Sequence, residues 1–552
     1  MWNQEETRRI ATLPNGSYGP TFGCRRWILL SCAVGLGAYH IFASSVMYPV
    51  PGGDAAVFMP AAINLKAGHG LTNSLWEVLP DPTGQHRFLE HPALFQLVVS
   101  ACMWKSETRN AFVVTAIFNA LTLTLYAAIL GTAKFARRLM ASVSGFAVLL
   151  SSLFALAFLI FTDAVGRPEP LSTLILCLTM ALVTWMPRKC WPVCLGCAIG
   201  IAAAIHPVHG IFIACLVAMA LLLAVSLPQA IREALLAAIV AVSLFLVLLN
   251  LSPYPIWKTI QAVARHGALV NESDYRISEL SAFYLKLAPW SGLYLLGLSL
   301  VLVWFGICFW RSAGDRITGA ARLLALLLTA FAFCFFSLRR PSASYYLMML
   351  APACAAGALY LLNICAGKEA RPLAALPRWI LVAFFAMFSL FLVRDMALFV
   401  NYRTKGVSFV DAQRDFRHLV HSTDQVISVS ESLWVLADEF ERIRIIERGS
   451  TSGDLMVLQQ TRRGSLFPPV IPGYRLLSQH FIPQPPRCFG LPIARTMPGY
   501  SFAVFAREVS LGRNNARTSG EFLPFDSSVF PSLAKMDNQL QPVDDRYFCH
   551  GS

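Results

Sequence analysis

Ionisable side chains stand at the ends of long apolar runs in this sequence, and their types suit a reaction that transfers a proton. Asp54 follows the first such run, within the segment 52–56, which reads GGDAA. A carboxylate at that place can serve as a general base that takes the proton of an attacking hydroxyl. The same segment is also typical of the start of a helix, with Asp54 as the N-cap. Both roles are compatible, because an N-capping carboxylate is held rigidly and kept ionised.

A turn at residues 166–170 carries an arginine and a second acid, Arg167 and Glu169, each followed by proline. The prolines fix a tight turn, which would present both side chains to a cleft. We therefore predict that Arg167 contacts substrate and that Glu169 is the second candidate for the general base. In the alternative, the two side chains pair with each other at an exposed loop tip, and the pair contributes little to stability.

Two adjacent arginines, Arg339 and Arg340, precede a late apolar run and are followed closely by Tyr345 and Tyr346. Guanidinium groups bind phosphate oxygens through paired hydrogen bonds, so this segment is predicted to bind a substrate phosphate without a metal ion. In the alternative, these residues anchor the chain at a membrane interface, where arginine and tyrosine are both common.

Three histidines are further candidates for substrate contact. His206 and His209 flank the Pro207-Val208 pair, and His91 begins a short apolar segment. With Asp54, His206 and His209 could in principle surround a divalent cation, but two histidines make at most half a site. We therefore predict hydrogen bonds to substrate from all three histidines and no metal cofactor.

The composition places these residues in a polytopic membrane protein. Of the 552 residues, 56% are hydrophobic and 14% are charged, and the mean hydropathy is +0.56. Such values are typical of chains that cross a bilayer many times. The net charge of +14 does not indicate nucleic-acid binding, because the basic residues lie scattered in short loops.

Apolar runs predict eleven transmembrane helices, beginning from a cytoplasmic segment at 1–26. The predicted spans are 27–47, 109–133, 141–161, 170–186, 192–206, 209–227, 233–251, 290–310, 321–338, 345–363 and 378–394. This threading puts most basic loop residues on the cytoplasmic side, as the positive-inside bias requires: Lys134, Arg137, Arg138, Arg188, Lys189, Arg232, Arg311, Arg316, Lys368 and Arg371. It leaves Arg167, Arg339 and Arg340 on the outer side without a topological reason.

Three parts follow from this threading. The transmembrane domain at 27–394 has a first outer loop at 48–108, with a short interfacial or re-entrant helix at 91–104. A second outer loop at 252–289 carries an amphipathic helix at 255–268, which is either a lid or a passive surface helix. The remaining residues, 395–552, are predicted to form a soluble α/β domain outside the cytoplasm.

The predicted α/β domain alternates helical and strand-like segments. Helices are expected at 411–419 and 433–440, and strands at 425–429, 442–446, 455–458, 474–481 and 500–505. No nucleotide-binding loop or catalytic triad can be assigned there. Its two cysteines, Cys488 and Cys549, are predicted to form one disulfide in an oxidising compartment.

Several of these segments together resemble the GT-C class of integral-membrane glycosyltransferases. They are the acid after the first span, the Ala-rich segment ending in Ala-Gly-His-Gly-Leu, the His-Pro-Ala-Leu-Phe segment from His91, the Arg-Pro-Glu turn, and the Arg-Arg-Pro-Ser-Ala-Ser-Tyr-Tyr segment from Arg339. Among bacterial members, the layout is similar to that of the lipid A aminoarabinose transferase and the protein O-mannosyltransferases.

The resemblance implies an enzyme of the bacterial cytoplasmic membrane whose C-terminal domain lies in the periplasm. It implies inverting transfer of a sugar from a polyprenyl-phosphate donor to a glycan, lipid or protein acceptor on the outer face. Asp54 would be the general base, and the arginines would bind the lipid phosphate. Two alternatives remain open, an oligosaccharide polymerase or ligase and a sugar-lipid flippase. A flippase needs polar residues along a path between leaflets, and the predicted spans contain few.

Overall fold

A computed structural model describes these parts of the chain: residues 20–48, 55–73, 75, 87–88, 91–162, 166–224, 227–271, 349, 351–353, 355–359, 362–363, 372–404, 409–419, 426–428, 435–436, 443–445, 455–459, 473–480, 487–488, 491–492 and 502–507. Helices in these ranges include α1 (Pro20–Ser45), α2 (Ala55–Ala67), α3 (Leu94–Cys102), α4 (Thr108–Thr132), α5 (Lys134–Ala141), α6 (Val143–Thr162), α7 (Glu169–Trp185), α8 (Trp191–Ile205), α9 (Pro207–Ala224), α10 (Leu227–Leu249), α11 (Ile256–Asn271), α12 (Pro372–Thr404) and α13 (Phe409–Leu419). The described residues of 349–363 are helical as well and fall on the predicted span at 345–363.

Six helical segments in the described ranges are long and apolar enough to cross a membrane. They are Gly23–Ser45, Thr108–Thr132, Val143–Phe161, Arg188–Ile205, Pro228–Leu249 and Leu381–Arg403. Each falls on a predicted span, so the chain is a helical membrane protein. Helices α7 and α9 are apolar but shorter, and they coincide with the predicted spans at 170–186 and 209–227. The predicted spans at 290–310 and 321–338 lie outside the described residues.

The helices form a bundle whose two ends differ in chemistry. At one end, Arg25 of α1 hydrogen-bonds the carbonyl of Met140 in α5 and lies over the ring of Phe146. Trp185, the last residue of α7, donates to the hydroxyl of Thr132 at the same end. This end carries the basic loops, whereas the histidine and Arg-Pro-Glu segments lie at the other end. Helices α7 and α8 therefore run in opposite directions between the two ends.

Small residues allow the central helices to approach closely. Gly196 and Gly200 form a Gly-x-x-x-Gly motif on α8 that faces α10. A Cβ added at Gly196 would stand 2.5 Å from the carbonyl oxygen of Ala237, and one at Gly200 would stand 2.7 Å from that of Ala241. Membrane helices lack a hydrophobic driving force for association, so such backbone contact provides the van der Waals packing that joins them.

Helices α1 and α12 end side by side. Tyr48, after α1, hydrogen-bonds Asp395 of α12 at 3.2 Å, and the Tyr402 hydroxyl hydrogen-bonds the carbonyl of Val46 at 3.4 Å. The prediction ended the last span at Arg394, where the apolar run stops, but α12 continues to Thr404. The helix continues past Asp395, which accepts hydrogen bonds from Tyr39 of α1 and from Tyr48. With 33 residues, α12 is about 50 Å long and extends beyond a hydrocarbon core of about 30 Å.

Strands β1 (Val426–Ser428), β2 (Ile443–Ile445), β3 (Leu455–Gln459), β4 (Tyr474–His480) and β7 (Phe502–Arg507) form one mixed sheet, and β5 (Arg487–Cys488) pairs with β6 (Leu491–Pro492). The sheet order is β2-β1-β3-β7-β4. Strand β1 runs parallel to β2 and β3, and β7 runs antiparallel to β3 and β4. Each strand of this sheet lies where the sequence predicted one.

The buried face of this sheet shares one apolar core with α2 and α3. Phe409 and Phe416 of α13, and Val457 and Phe502 of the sheet, belong to the same cluster of buried residues as Ala55 and Phe95. The chain after α12 therefore packs toward the end of the bundle that carries α2 and α3.

Candidate functional site

The candidate site begins at the turn before α7, which packs closely against the start of α2. Gly166 has a φ of +85°, a conformation that favours glycine. A Cβ at this position would stand 2.4 Å from a ring carbon of Phe112 and 2.8 Å from the Cβ of Ala55. Glycine is therefore required twice, for backbone conformation and for space, and it brings Arg167 next to the first residue of α2.

Arg167 and Glu169 form a buried ion pair. The Nε and Nη2 atoms of Arg167 donate to Oε2 and Oε1 of Glu169, both at 3.0 Å. The side chain of Glu169 is 0% exposed and that of Arg167 is 9% exposed. The sequence left open a pair at an exposed loop tip. The pair is present, but it is inside the protein, because α7 begins at Glu169 and buries its first turn against neighbouring helices.

His209 joins the ion pair to Ser172 on the same face of α7. Its Nε2 lies 3.6 Å from Oε1 of Glu169, a distance too long for a hydrogen bond. Its Nδ1 lies 2.7 Å from Oγ of Ser172. A carboxylate only accepts hydrogen bonds, so the tautomer with hydrogen on Nε2 suits the position beside Glu169 and leaves Nδ1 to accept from the Ser172 hydroxyl. Sequence reasoning missed Ser172, since a serine within an apolar run gives no signal of its own.

The three predicted histidines form a row. The ring centroids of His91 and His206 are 5.0 Å apart, and those of His206 and His209 are 4.6 Å apart. Burial, together with the nearby His209 and His91, lowers the pKa of His206 well below its usual value, so His206 is neutral at neutral pH. At the other end of the row, the Phe58 ring of α2 lies 5.0 Å from His91. The row thus links α2 to the ion pair.

Asn73 holds the first turn of α2 from the following loop. Its Nδ2 donates to the carbonyl oxygens of Ala56 and Val57, both at 2.9 Å, and its Oδ1 accepts from the backbone N–H of Leu75 at 3.0 Å. Asn73 is 1% exposed. Sequence reasoning missed this residue as well. The available signal was Pro60, which lies inside α2 and removes one of its backbone donors.

The structure therefore brings together five predicted site residues, His91, Arg167, Glu169, His206 and His209. The others lie outside the described residues: Asp54, Arg339, Arg340, Tyr345, Tyr346 and Cys549. Cys488 lies in β5, and its disulfide with Cys549 stays a prediction. Among the residues that the structure describes, no group of three or more histidine, cysteine, aspartate or glutamate side chains is arranged to hold a metal ion.

Fold and site together define a helical membrane protein with a buried Arg–Glu–His cluster at the end of its bundle remote from the basic loops. No protein-family model, curated protein or solved structure matches the chain.

Proposed function

We propose that the protein is a GT-C-type membrane glycosyltransferase that transfers a sugar from a polyprenyl-phosphate donor to an acceptor hydroxyl. One observation carries this proposal. Ala55, the chain neighbour of Asp54, packs against Gly166, the chain neighbour of Arg167, with only 2.8 Å between the Cβ of Ala55 and a Cβ built at position 166. Two segments that are remote in sequence, each singled out for chemistry, thus meet at one end of the bundle.

In the proposed reaction, the acceptor oxygen attacks the anomeric carbon while the bond from that carbon to the phosphate oxygen breaks. The bonding electrons leave with the lipid phosphate, and the acceptor proton passes to the Asp54 carboxylate. A general base of this kind contributes about 10²–10⁴ in rate. One displacement inverts the anomeric centre. Arg339 and Arg340, with Tyr345 and Tyr346 beside them, would bind the leaving phosphate.

The buried ion pair supports a positioning role for Glu169 rather than the role of second base. Both of its oxygens accept from Arg167, and Oε1 also faces His209. An anion with these partners is a weak proton acceptor. In the proposal, Glu169 orients Arg167 toward the sugar or phosphate, and the three histidines contact sugar hydroxyls. No metal cofactor takes part.

The proposed orientation places the basic loops in the cytoplasm and the site on the periplasmic side of the bacterial inner membrane. Adjacent ends of α1 and α12 support this arrangement, because they mean that both helices cross in the same direction. An odd number of spans, such as the predicted eleven, has that property. The chain after α12 would then be periplasmic, where it can receive a glycan, lipid or protein acceptor.

The test is consumption of donor by the purified full-length protein, which is offered a panel of polyprenyl-phosphate sugars with and without chelator. We expect turnover of at least one donor, insensitive to chelator. Asp54→Asn keeps the capping oxygen but removes the base, so turnover should fall at least about 100-fold with donor binding retained. Asp411→Asn, on α13, is the matched control and should leave turnover unchanged.

Two results would contradict the proposal. Full turnover by Asp54→Asn would remove Asp54 as the base. Binding of every glycolipid without consumption of any, or movement of the intact glycolipid between leaflets of a vesicle, would favour the flippase instead.

A further inference from the structure

The first turn of α2 contains a defect in its backbone hydrogen bonding that the sequence itself creates. In an α-helix the carbonyl of residue i accepts from the N–H of residue i+4. The carbonyl of Ala56 would accept from residue 60, but Pro60 has no N–H. The pyrrolidine ring also crowds that carbonyl, so the regular helix pattern leaves the Ala56 carbonyl without its donor. Ala56 is fully buried, which keeps bulk water away from the residue.

Asn73 supplies the missing donor. Its amide group has two hydrogens on Nδ2, and the two carbonyl oxygens it reaches, those of Ala56 and Val57, both lie at 2.9 Å. The orientation of the amide is fixed, because its Oδ1 accepts from the backbone N–H of Leu75 and a flipped amide would lose all three bonds. Asn73 thus closes the first turn of α2 from outside the helix.

This turn is where the proposed chemistry needs rigidity. It begins at Ala55, directly after Asp54, and its Ala55 and Phe58 side chains contact the Gly166 turn and His91. A general base must be held within a fraction of an ångström to remove a proton efficiently. We propose that Asn73 is a positioning residue for the general base, acting by replacing the helix hydrogen bond that Pro60 removes. The proposal rests on the proposed function for its catalytic part and on geometry alone for its structural part.

The structural part is tested by hydrogen exchange on the full-length protein in lipid nanodiscs, without any ligand. Asn73→Ala should speed exchange of the amides of Met59, Ala61 and Ala62 about tenfold, because a buried carbonyl loses its donor and the turn opens more often. Asn64→Ala is the matched control. Asn64 lies at the far end of the same helix and donates to Thr72, so its loss should affect the end of α2 and not its first turn.

A second variant makes the test specific to the proposed bond. Pro60→Ala returns an N–H at position 60, so the Ala56 carbonyl regains an internal donor. In the double variant Pro60→Ala/Asn73→Ala, exchange of the first turn should return to within about twofold of the parent. Loss of Asn73 that leaves exchange unchanged, or that Pro60→Ala does not rescue, would overturn the inference.

The catalytic part is tested in the donor-consumption assay with the same variants. Asn73→Ala should lower kcat about tenfold with little change in KM for the donor, and the double variant should regain most of that loss. An unaltered kcat for Asn73→Ala would refute the positioning role.

The proposed function and the positioning role of Asn73 can be refuted independently. Exchange that follows the expected pattern in a protein consuming no donor would contradict the proposed function, and an inactive Asp54→Asn beside a fully active Asn73→Ala would contradict only the inference.

Discussion

At the scale of single residues, Arg167 and Glu169 show how burial changes the contribution of an ion pair to the stability of the protein. An exposed pair gains little, because water already solvates both charges. A buried pair has lost that water, so each charge depends on its partner. The two hydrogen bonds from Arg167 replace that water for both oxygens of Glu169, so the Glu169 carboxylate depends on Arg167.

Removing one partner of this pair should destabilise the protein strongly. Glu169→Leu leaves a buried guanidinium without its carboxylate, and we expect a loss of about 3–5 kcal/mol. Arg167→Met/Glu169→Leu removes both charges and should recover most of that loss. Thermal unfolding of the detergent-solubilised variants measures both effects.

The exposed pair Lys105–Glu107 provides the control for this experiment. Its charged atoms lie 3.7 Å apart, and both side chains are more than half exposed. Glu107→Gln should therefore cost less than about 1 kcal/mol. Equal losses for Glu107→Gln and Glu169→Leu would show that burial does not govern the Arg167–Glu169 pair.

Contacts between side chains were predictable from the sequence where the two residues are close along the chain. Arg167 and Glu169 are two residues apart, so their pairing could be anticipated, whereas their burial depends on packing of α7 that no local pattern encodes. The contact of His209 with Glu169 spans forty residues of sequence. Asn73 was missed for a similar reason, since Pro60 reveals a missing donor but does not reveal which side chain replaces it.

At the scale of elements, backbone contact between α8 and α10 depends on two glycines. The Cβ of an alanine at position 196 would meet the carbonyl oxygen of Ala237, which is backbone and has little freedom to move. Gly35 of α1 provides a contrast, because nothing lies within 4 Å of a Cβ built there.

We expect Gly196→Ala to destabilise the bundle by about 1–3 kcal/mol, as overpacking does elsewhere. Gly35→Ala should leave stability unchanged or raise it by up to about 1 kcal/mol, because alanine is the better helix former. Thermal unfolding and the monodisperse fraction after detergent extraction report both outcomes. Unchanged stability of Gly196→Ala would contradict the close approach of α8 and α10.

Helices were predictable at this scale because long apolar runs have few alternatives in a membrane. The end of α12 was not predictable from apolarity alone. In the sequence, Arg394 and Asp395 indicate the edge of the membrane. Hydrogen bonds from a neighbouring helix can nevertheless allow such residues to lie within a helix. Strand positions near the C-terminus were predictable from alternation, whereas the mixed sheet order is set by long-range pairing.

At the scale of the whole molecule, the two ends of the bundle should face different compartments. Lys105 lies near the end with the histidine row, and Lys189 lies near the basic end. Both residues are exposed, so each can carry a reporter without disturbing the core.

Single-cysteine labelling on intact cells tests this orientation, in a chain whose exposed or partly exposed cysteines are replaced by serine. Lys105→Cys should react with a membrane-impermeant maleimide in intact cells. Lys189→Cys should react only after the membrane is permeabilised. The reverse pattern would place the candidate site in the cytoplasm and exclude a periplasmic transfer reaction.

The bond between Asn73 and the Ala56 carbonyl also has an evolutionary consequence. A chain that lost Asn73 first would carry an open turn until position 60 changed, whereas a chain that replaced Pro60 first would be free to lose Asn73 afterwards. Descendants of a common ancestor should therefore keep the proline only together with the amide, and they should vary more freely at position 73 wherever proline is absent.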